Sequence, residues 1–183
     1  MAEWSGGDAL KRILASLSGK LRNAKEVAVG YPVGSKYPDG TPFATVAAAN
    51  NYGAPSRGIP PRPFFSNAVT AGRKTWGATL ATQLKVQGYD AAKALELTGT
   101  EMAFNIAESL VATNGPPLSP VTLLLRERFP QRTGMTFADV LQARRDVASG
   151  KASTLSGPGA KPLVWTGQLL DHLYGPSAVE VRS

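Results

Sequence analysis

Side chains that could perform catalysis are few in this sequence of 183 residues. The single His, His172, follows Asp171, and in a strand or turn such neighbours point to opposite faces, so they cannot form an oriented dyad. The absence of Cys excludes thiolate nucleophiles, disulfides and Cys-ligated zinc. Asp and Glu are scattered singly, without an HExxH or Asp-rich calcium motif. We therefore expect no enzyme activity, no metal site and no cofactor.

Two further segments could suggest ligand chemistry but do not support it. GPGAKP, from Gly157 to Pro162, has no helix with Ser or Thr after its Lys, so it is a linker by composition and not a phosphate loop. Single-strand nucleic-acid binders alternate exposed aromatic and basic residues along strands. Here Trp76 lies on a helical apolar stripe, which favours a place in the core.

The basic charge of the chain is unevenly distributed. Lys and Arg outnumber Asp and Glu by ten to four in residues 1–74 and by eight to five in residues 113–183, whereas residues 75–112 hold two basic and four acidic side chains. The net charge of +7 fits contact with nucleic acid, contact with an acidic protein, or a solvated basic surface. Neither a signal peptide nor a run long enough to span a bilayer is apparent, so we expect a soluble protein made in a reducing cytoplasm.

The apolar periodicity predicts one α+β domain over residues 1–183, with long helices packed on a small, mostly antiparallel sheet. The first helix is predicted to be capped by Ser5. Its apolar stripe comprises Leu10, Ile13, Leu14, Leu17 and Leu21. The alternation of Val27, Val29 and Tyr31 predicts a strand, and Thr41 before Pro42 predicts a short helix that ends at Gly53.

Further along, one long helix is predicted from near Pro63 to Leu84, and Asp90 is predicted to cap another with Ile106 and Leu110 on its apolar face. The stretch after Ser119-Pro120 fits a short helix, which we favour, or a buried strand. A capped helix is predicted from Thr136 to about Ala148, within an excursion of about residues 130–160 that ends in a flexible linker. The apolar runs on either side of Gly175-Pro176 predict a C-terminal hairpin with Val179 and Val181 on one face.

A proline-rich arm, at about residues 54–65, joins two helical patterns. Pro60, Pro61 and Pro63 fix φ and remove backbone donors, so the arm cannot enter a sheet interior and holds an extended course. Two alternatives follow for the Phe64-Phe65 pair at its end. A stiff arm can present Phe64 and Arg62 to a neighbouring subunit, or it can pin the next helix to the chain's own core.

Three motifs in order resemble the tail-completion or neck family of long-tailed bacteriophages. They are Tyr52-Gly53 with the segment from Ile59 to Phe64, the segment from Pro117 to Thr122, and the segment from Lys161 to Leu169. Trp165 stands where the family usually has an acidic residue before Thr-Gly, and the stretch from Phe129 to Ala160 is long for the family.

The resemblance implies a structural virion protein, made in the host cytoplasm, that forms a ring, commonly sixfold, at the head-tail interface. Its partners would be itself, the head-tail connector, the tail tube or tail terminator, and transiently the DNA in the channel, with no membrane. We take as candidate residues for contacts with a neighbour Arg57, Ile59, Arg62, Phe64, Phe65 and Trp165. The alternative is a basic, non-sequence-specific nucleic-acid-binding protein that acts off the virion, and a hydrolase is a remote third.

Overall fold

The computed structural model describes residues 6–131 and 133–183. The predicted cap Ser5 lies outside the described residues. The described helices are α1 (Gly6–Leu21), α2 (Phe43–Tyr52), α3 (Phe64–Gly72), α4 (Trp76–Val86), α5 (Ala91–Ala112), α6 (Pro120–Arg128), α7 (Phe137–Ala148) and α8 (Gln168–Tyr174). The strands are β1 (Glu26–Val29) and β2 (Val179–Arg182), so the chain has the predicted α+β fold.

The sheet is a single antiparallel pair of strands. Val27 of β1 lies opposite Val181 of β2, and Val29 lies opposite Val179. Helix α5 crosses this pair at Gly99, where a Cβ atom would lie only 2.7 Å from the Cγ atoms of Val27 and Val179. Glycine therefore lets the helix backbone rest directly on the sheet.

The prediction of a C-terminal hairpin is wrong for the first of its two strands. Val179 and Val181 do form a strand, but it pairs with β1, and residues 168–174 form α8. Leu169 and Leu173 are both buried and lie four residues apart, which matches the helical period and not the strand period. His172 accordingly lies on a helix, half-buried, with its ring centroid 4.1 Å from that of Phe43.

The main core surrounds the C-terminal half of α5. Ile106 and Leu110 of this helix are buried together with Phe43 of α2 and Phe64 of α3. Leu169 and Leu173 of α8 close the cluster. The predicted α2 is present, but Pro42 and not Thr41 occupies the N-cap position, and no side chain caps this helix.

The long helix predicted from Pro63 to Leu84 is in fact two helices, α3 and α4, separated at residues 73–75. The indole of Trp76 packs on Gly72, where an added Cβ would lie 2.0 Å from the ring, and its Nε1 donates to Asn105 Oδ1 at 2.8 Å. Thr79 Oγ1 donates to Glu101 Oε1 one turn further along, so α4 runs antiparallel to α5. The turn at residues 87–90 and the Asp90 cap, which accepts from Lys93 N, agree with prediction.

Helices α6 and α7 form a second, smaller core. It contains Leu124 and Leu125 of α6 and Ala143 of α7. Ser119 caps α6, and Thr136 and Asp139 form a capping box at the start of α7, so both predicted helices are confirmed. The segment that follows α7 contacts α6, since Ser153 Oγ donates to Glu127 Oε2 at 2.7 Å.

Acidification is expected to loosen this second core. Hydrogen bonds from Thr136, Arg128 and Thr154 lower the pKa values of Asp139, Asp146 and Glu127 respectively. Folding therefore favours the charged carboxylates, and the stability they contribute is present above their ordinary pKa values, about 4, and is lost as the pH falls through the lowered values. Amide hydrogen-exchange protection factors of α7, corrected for the intrinsic rate, should fall more than those of α5 between neutral and acidic pH.

The matched variant is Asp146→Asn, which removes the ion pair with Arg128. Its α7 protection should be lower at neutral pH and should change less on acidification. Equal pH dependence in the variant and the wild type would contradict the assignment to Asp146.

Candidate interaction surface

The proline-rich arm forms a turn of its own near its start. It turns back on itself where Ala54 N donates to Ile59 O at 2.8 Å and Ile59 N donates to Ala54 O at 3.1 Å. Gly53 precedes the turn with φ of 80°, and a Cβ atom there would lie 3.0 Å from Pro61 N. Both the left-handed backbone and the close contact call for glycine at this position.

Asn51, near the C-terminal end of α2, fixes the far end of the arm. This side chain is 4% exposed, and its Oδ1 accepts from Phe65 N at 3.0 Å and from Ser66 N at 3.1 Å. Its Nδ2 donates to Ser66 Oγ at 2.8 Å. Pro63, the N-cap residue of α3, provides no side-chain acceptor, so Asn51 caps α3 from another helix.

Two of the six candidate contact residues lie inside the chain. Phe64 is 0% exposed in the main core, and its carbonyl accepts from Ser109 Oγ at 2.7 Å. Arg62 is 4% exposed, and its Nε donates to Pro116 O at 3.0 Å. These contacts favour the alternative in which the arm pins α3, because both residues are already engaged within their own chain.

The other four candidates are more accessible. Arg57 is exposed, whereas Ile59, Phe65 and Trp165 are half-buried. Phe65 packs on the main core, with its ring edge-on to Phe64 at a centroid distance of 6.3 Å. The six residues are thus divided between buried and accessible positions, and they do not form one exposed face.

Arg126 was not among the candidates, although it lies with Arg62 and Trp165 along one cleft. It is 7% exposed, its Nη1 donates to Gly159 O at 2.9 Å and to Lys161 O at 2.6 Å, and its Cζ lies 5.3 Å from the centroid of the Trp165 ring. The sequence signal is slight: Arg126 directly follows the apolar run Leu123–Leu125 on a nine-residue helix.

The most exposed apolar surface belongs to α1. Its predicted stripe is present on the helix, but Leu10 and Ile13 are 57% exposed and Leu14 is 56% exposed. The attachment of α1 to the body is near its C-terminal end, where Lys20 Nζ donates to Gly88 O and Asn23 Nδ2 donates to Asp90 Oδ1. An apolar face that its own chain leaves uncovered is typical of an interaction surface.

A second exposed apolar row lies on the outer side of α5. Leu97, Phe104 and Val111 are separated by seven residues, so they share one side of the helix, and each is at least 36% exposed. Glu96, Glu101 and Glu108 lie along the same helix. Helix α5 thus carries three acidic side chains and one basic one, Lys93, whereas α1 carries Lys11 and Lys20 next to its apolar stripe and Arg12 on the opposite side.

Among residues 6–131 and 133–183, no group of three or more His, Asp and Glu side chains is arranged to hold a metal ion. Within the same ranges, none of the helices has the length and apolar character to cross a membrane.

Comparisons with protein-family models, curated proteins and solved structures give no match to the chain.

Proposed function

We propose that this chain is a structural virion protein of a long-tailed phage, which assembles as a homo-oligomeric ring at the head-tail interface and completes the tail or joins it to the head connector. The observation that carries the proposal is the uncovered apolar stripe of α1. Three leucine or isoleucine side chains more than half exposed on one helix are costly for a monomer, since fully burying an exposed one contributes about 1.5–3 kcal/mol and roughly half of that remains to be gained here. The three ordered sequence motifs supply the family context.

The occupant of the α1 stripe is a second copy of the chain, which presents the outer side of α5. Leu97, Phe104 and Val111 give an apolar row to match that of α1. The acidic side chains of α5 complement the basic ones of α1, in agreement with the opposite net charges of residues 75–112 and 1–74. Because two different surfaces meet, the contact is heterologous, and its repetition forms a ring where the rotation between neighbouring copies closes and an open filament where it does not. The proposed arrangement is the closed one.

The ring would lie between the connector and the tail tube or terminator, with DNA passing through its channel. Basic side chains facing the channel would meet phosphates without reading sequence. No cofactor is required for this role.

The proposal is tested by native mass spectrometry and negative-stain imaging of the purified chain, with and without tail tubes. We expect a closed ring for the wild type and a folded monomer for the double variant Leu10→Ser, Leu14→Ser, because the substitutions remove apolar area that only a neighbour covers. Val33→Ser is the matched control, since Val33 is fully exposed outside both surfaces. A monomeric wild type at every concentration, or rings in the double variant, would contradict the proposal.

The alternative of an off-virion nucleic-acid-binding protein is supported by the net charge of +7. If the ring is the main function, the monomeric double variant should bind DNA weakly and without sequence preference, with Kd no tighter than about 10⁻⁴–10⁻⁶ M at physiological salt. Fluorescence anisotropy measures this affinity. A nanomolar Kd for the monomer would favour the alternative.

A further inference from the structure

A cleft of about 510 Å³ lies between the proline-rich arm, the start of α6 and the segment before α8. Arg62 and Arg126 line it together with Ser119 at the N-cap of α6. Ile59, Pro60 and Leu163 provide apolar walls. The cleft thus combines two guanidinium groups with an apolar lining.

As far as the structure describes the chain, Arg62 and Arg126 are buried without a counter-charge. Within residues 6–131 and 133–183, neither forms an ion pair, and the hydrogen-bond acceptors of their side chains are the neutral carbonyl groups of Pro116, Pro117, Gly159 and Lys161. Arg126 Nε is buried and has no acceptor in the described part of the chain. The Trp165 ring, 5.3 Å from Arg126 Cζ, adds a cation–π contact for that residue. A buried cation normally also has a paired anion, because neutral groups compensate only in part for lost hydration.

The two guanidinium groups also act on each other. Burial, and then the positive charge of Arg62, lower the pKa of Arg126 to about 10. Burial likewise lowers the pKa of Arg62. Both groups stay charged at neutral pH, so an anion between them would relieve their repulsion and satisfy the free Nε–H.

We propose that this cleft binds a carboxylate carried by an apolar peptide segment of a partner protein. The Arg126 side chain would turn so that its Nε–H, which is shielded in the unbound chain, donates to the carboxylate, and the carboxylate would lie within the field of Arg62. The adjoining apolar side chains of the partner would pack on Ile59, Pro60 and Leu163. A nucleic-acid phosphate would bring a polar sugar against these apolar walls, so it matches the cleft less well. The proposal does not depend on ring formation, because any neighbouring chain can supply the segment.

The side-chain Nε–Hε resonances of the full-length protein test the proposal by NMR, using hexanoate, acetate and inorganic phosphate as probes at constant ionic strength. We expect a saturable shift of the Arg126 resonance, with hexanoate binding more tightly than acetate and acetate more tightly than phosphate. Tighter binding of phosphate than of either carboxylate would overturn the assignment of a carboxylate ligand. Chloride serves as the reference for non-specific effects. If the shift rises linearly with probe concentration and equals the shift caused by chloride, the two arginines serve only to hold loops together.

Two variants locate the binding. Arg126→Gln should weaken hexanoate binding about tenfold or more, because it removes a buried charge-assisted donor, whereas Arg57→Gln on the exposed turn of the arm should leave it unchanged. Ile59→Ser keeps both arginines, so it should weaken hexanoate binding but not acetate binding, and it remains informative if Arg126→Gln does not fold. Equal effects of Arg57→Gln and Ile59→Ser on both probes would overturn the proposal.

Discussion

Phe64→Ala is expected to lower the free energy of unfolding by about 3–5 kcal/mol, the range for removing a fully buried aromatic ring. The ring is 0% exposed and packs among the side chains of α2, α3, α5 and α8, which are fixed by their own helices and cannot collapse into the space. In a chain of this length the loss corresponds to a fall in Tm of roughly 6–20 °C. Thermal unfolding followed by circular dichroism measures it.

Phe137→Ala is the matched control for this experiment. It deletes the same ring from the start of α7, where Phe137 is 73% exposed, so the Tm should change little. If Phe64→Ala instead leaves the Tm near the wild-type value and impairs only the joining of tails to heads, Phe64 serves a neighbour and does not stabilise the core of its own chain.

Local signals in the sequence predicted several helix boundaries well. Asp90, Ser119 and Thr136 each precede an apolar pattern, and in the structure the side chain of each accepts a hydrogen bond from the backbone N–H three residues further along. Such caps act within one helical turn, so the residues that determine them are adjacent in sequence. The strand at Val27 and Val29 was also predictable, because its alternation is local.

Features determined by distant contacts were not predictable. The break between α3 and α4 depends on the indole of Trp76 packing against Gly72 and bonding to Asn105, a residue on another helix. The run from Gln168 to Tyr174 is too short for its period to separate a helix from a strand, and it becomes α8 because Leu169 and Leu173 both reach the core.

The candidate surfaces likewise combine features that the local sequence predicts with features that depend on distant contacts. The spacing of Leu10, Ile13 and Leu14 predicts the apolar stripe of α1. Its exposure was not predictable, because it depends on which other elements pack against α1. The burial of Arg62 was hidden, because its partners at Pro116 and Pro117 are more than fifty residues away. The cleft formed with Arg126 depends on the same long-range contacts.

Asn51→Ala is expected to be the second most destabilising of the substitutions considered. It leaves the backbone N–H groups of Phe65 and Ser66 without their acceptor at the buried start of α3, and an unsatisfied buried donor costs about 1–3 kcal/mol. The same substitution frees the end of the arm, so the loss should be accompanied by faster hydrogen exchange across α3. Chemical unfolding in urea and amide exchange measure the two effects.

Asn50→Ala is the matched control, since the same amide is deleted from the adjacent position. Asn50 Nδ2 donates only to Val46 O within α2, a local bond, so its removal should cost less than about 1 kcal/mol and should leave exchange in α3 unchanged. The difference between the two variants isolates the cap that α2 provides to α3. Equal losses for Asn50→Ala and Asn51→Ala, with no change in α3 exchange, would mean that the prolines hold the arm in place without help from Asn51.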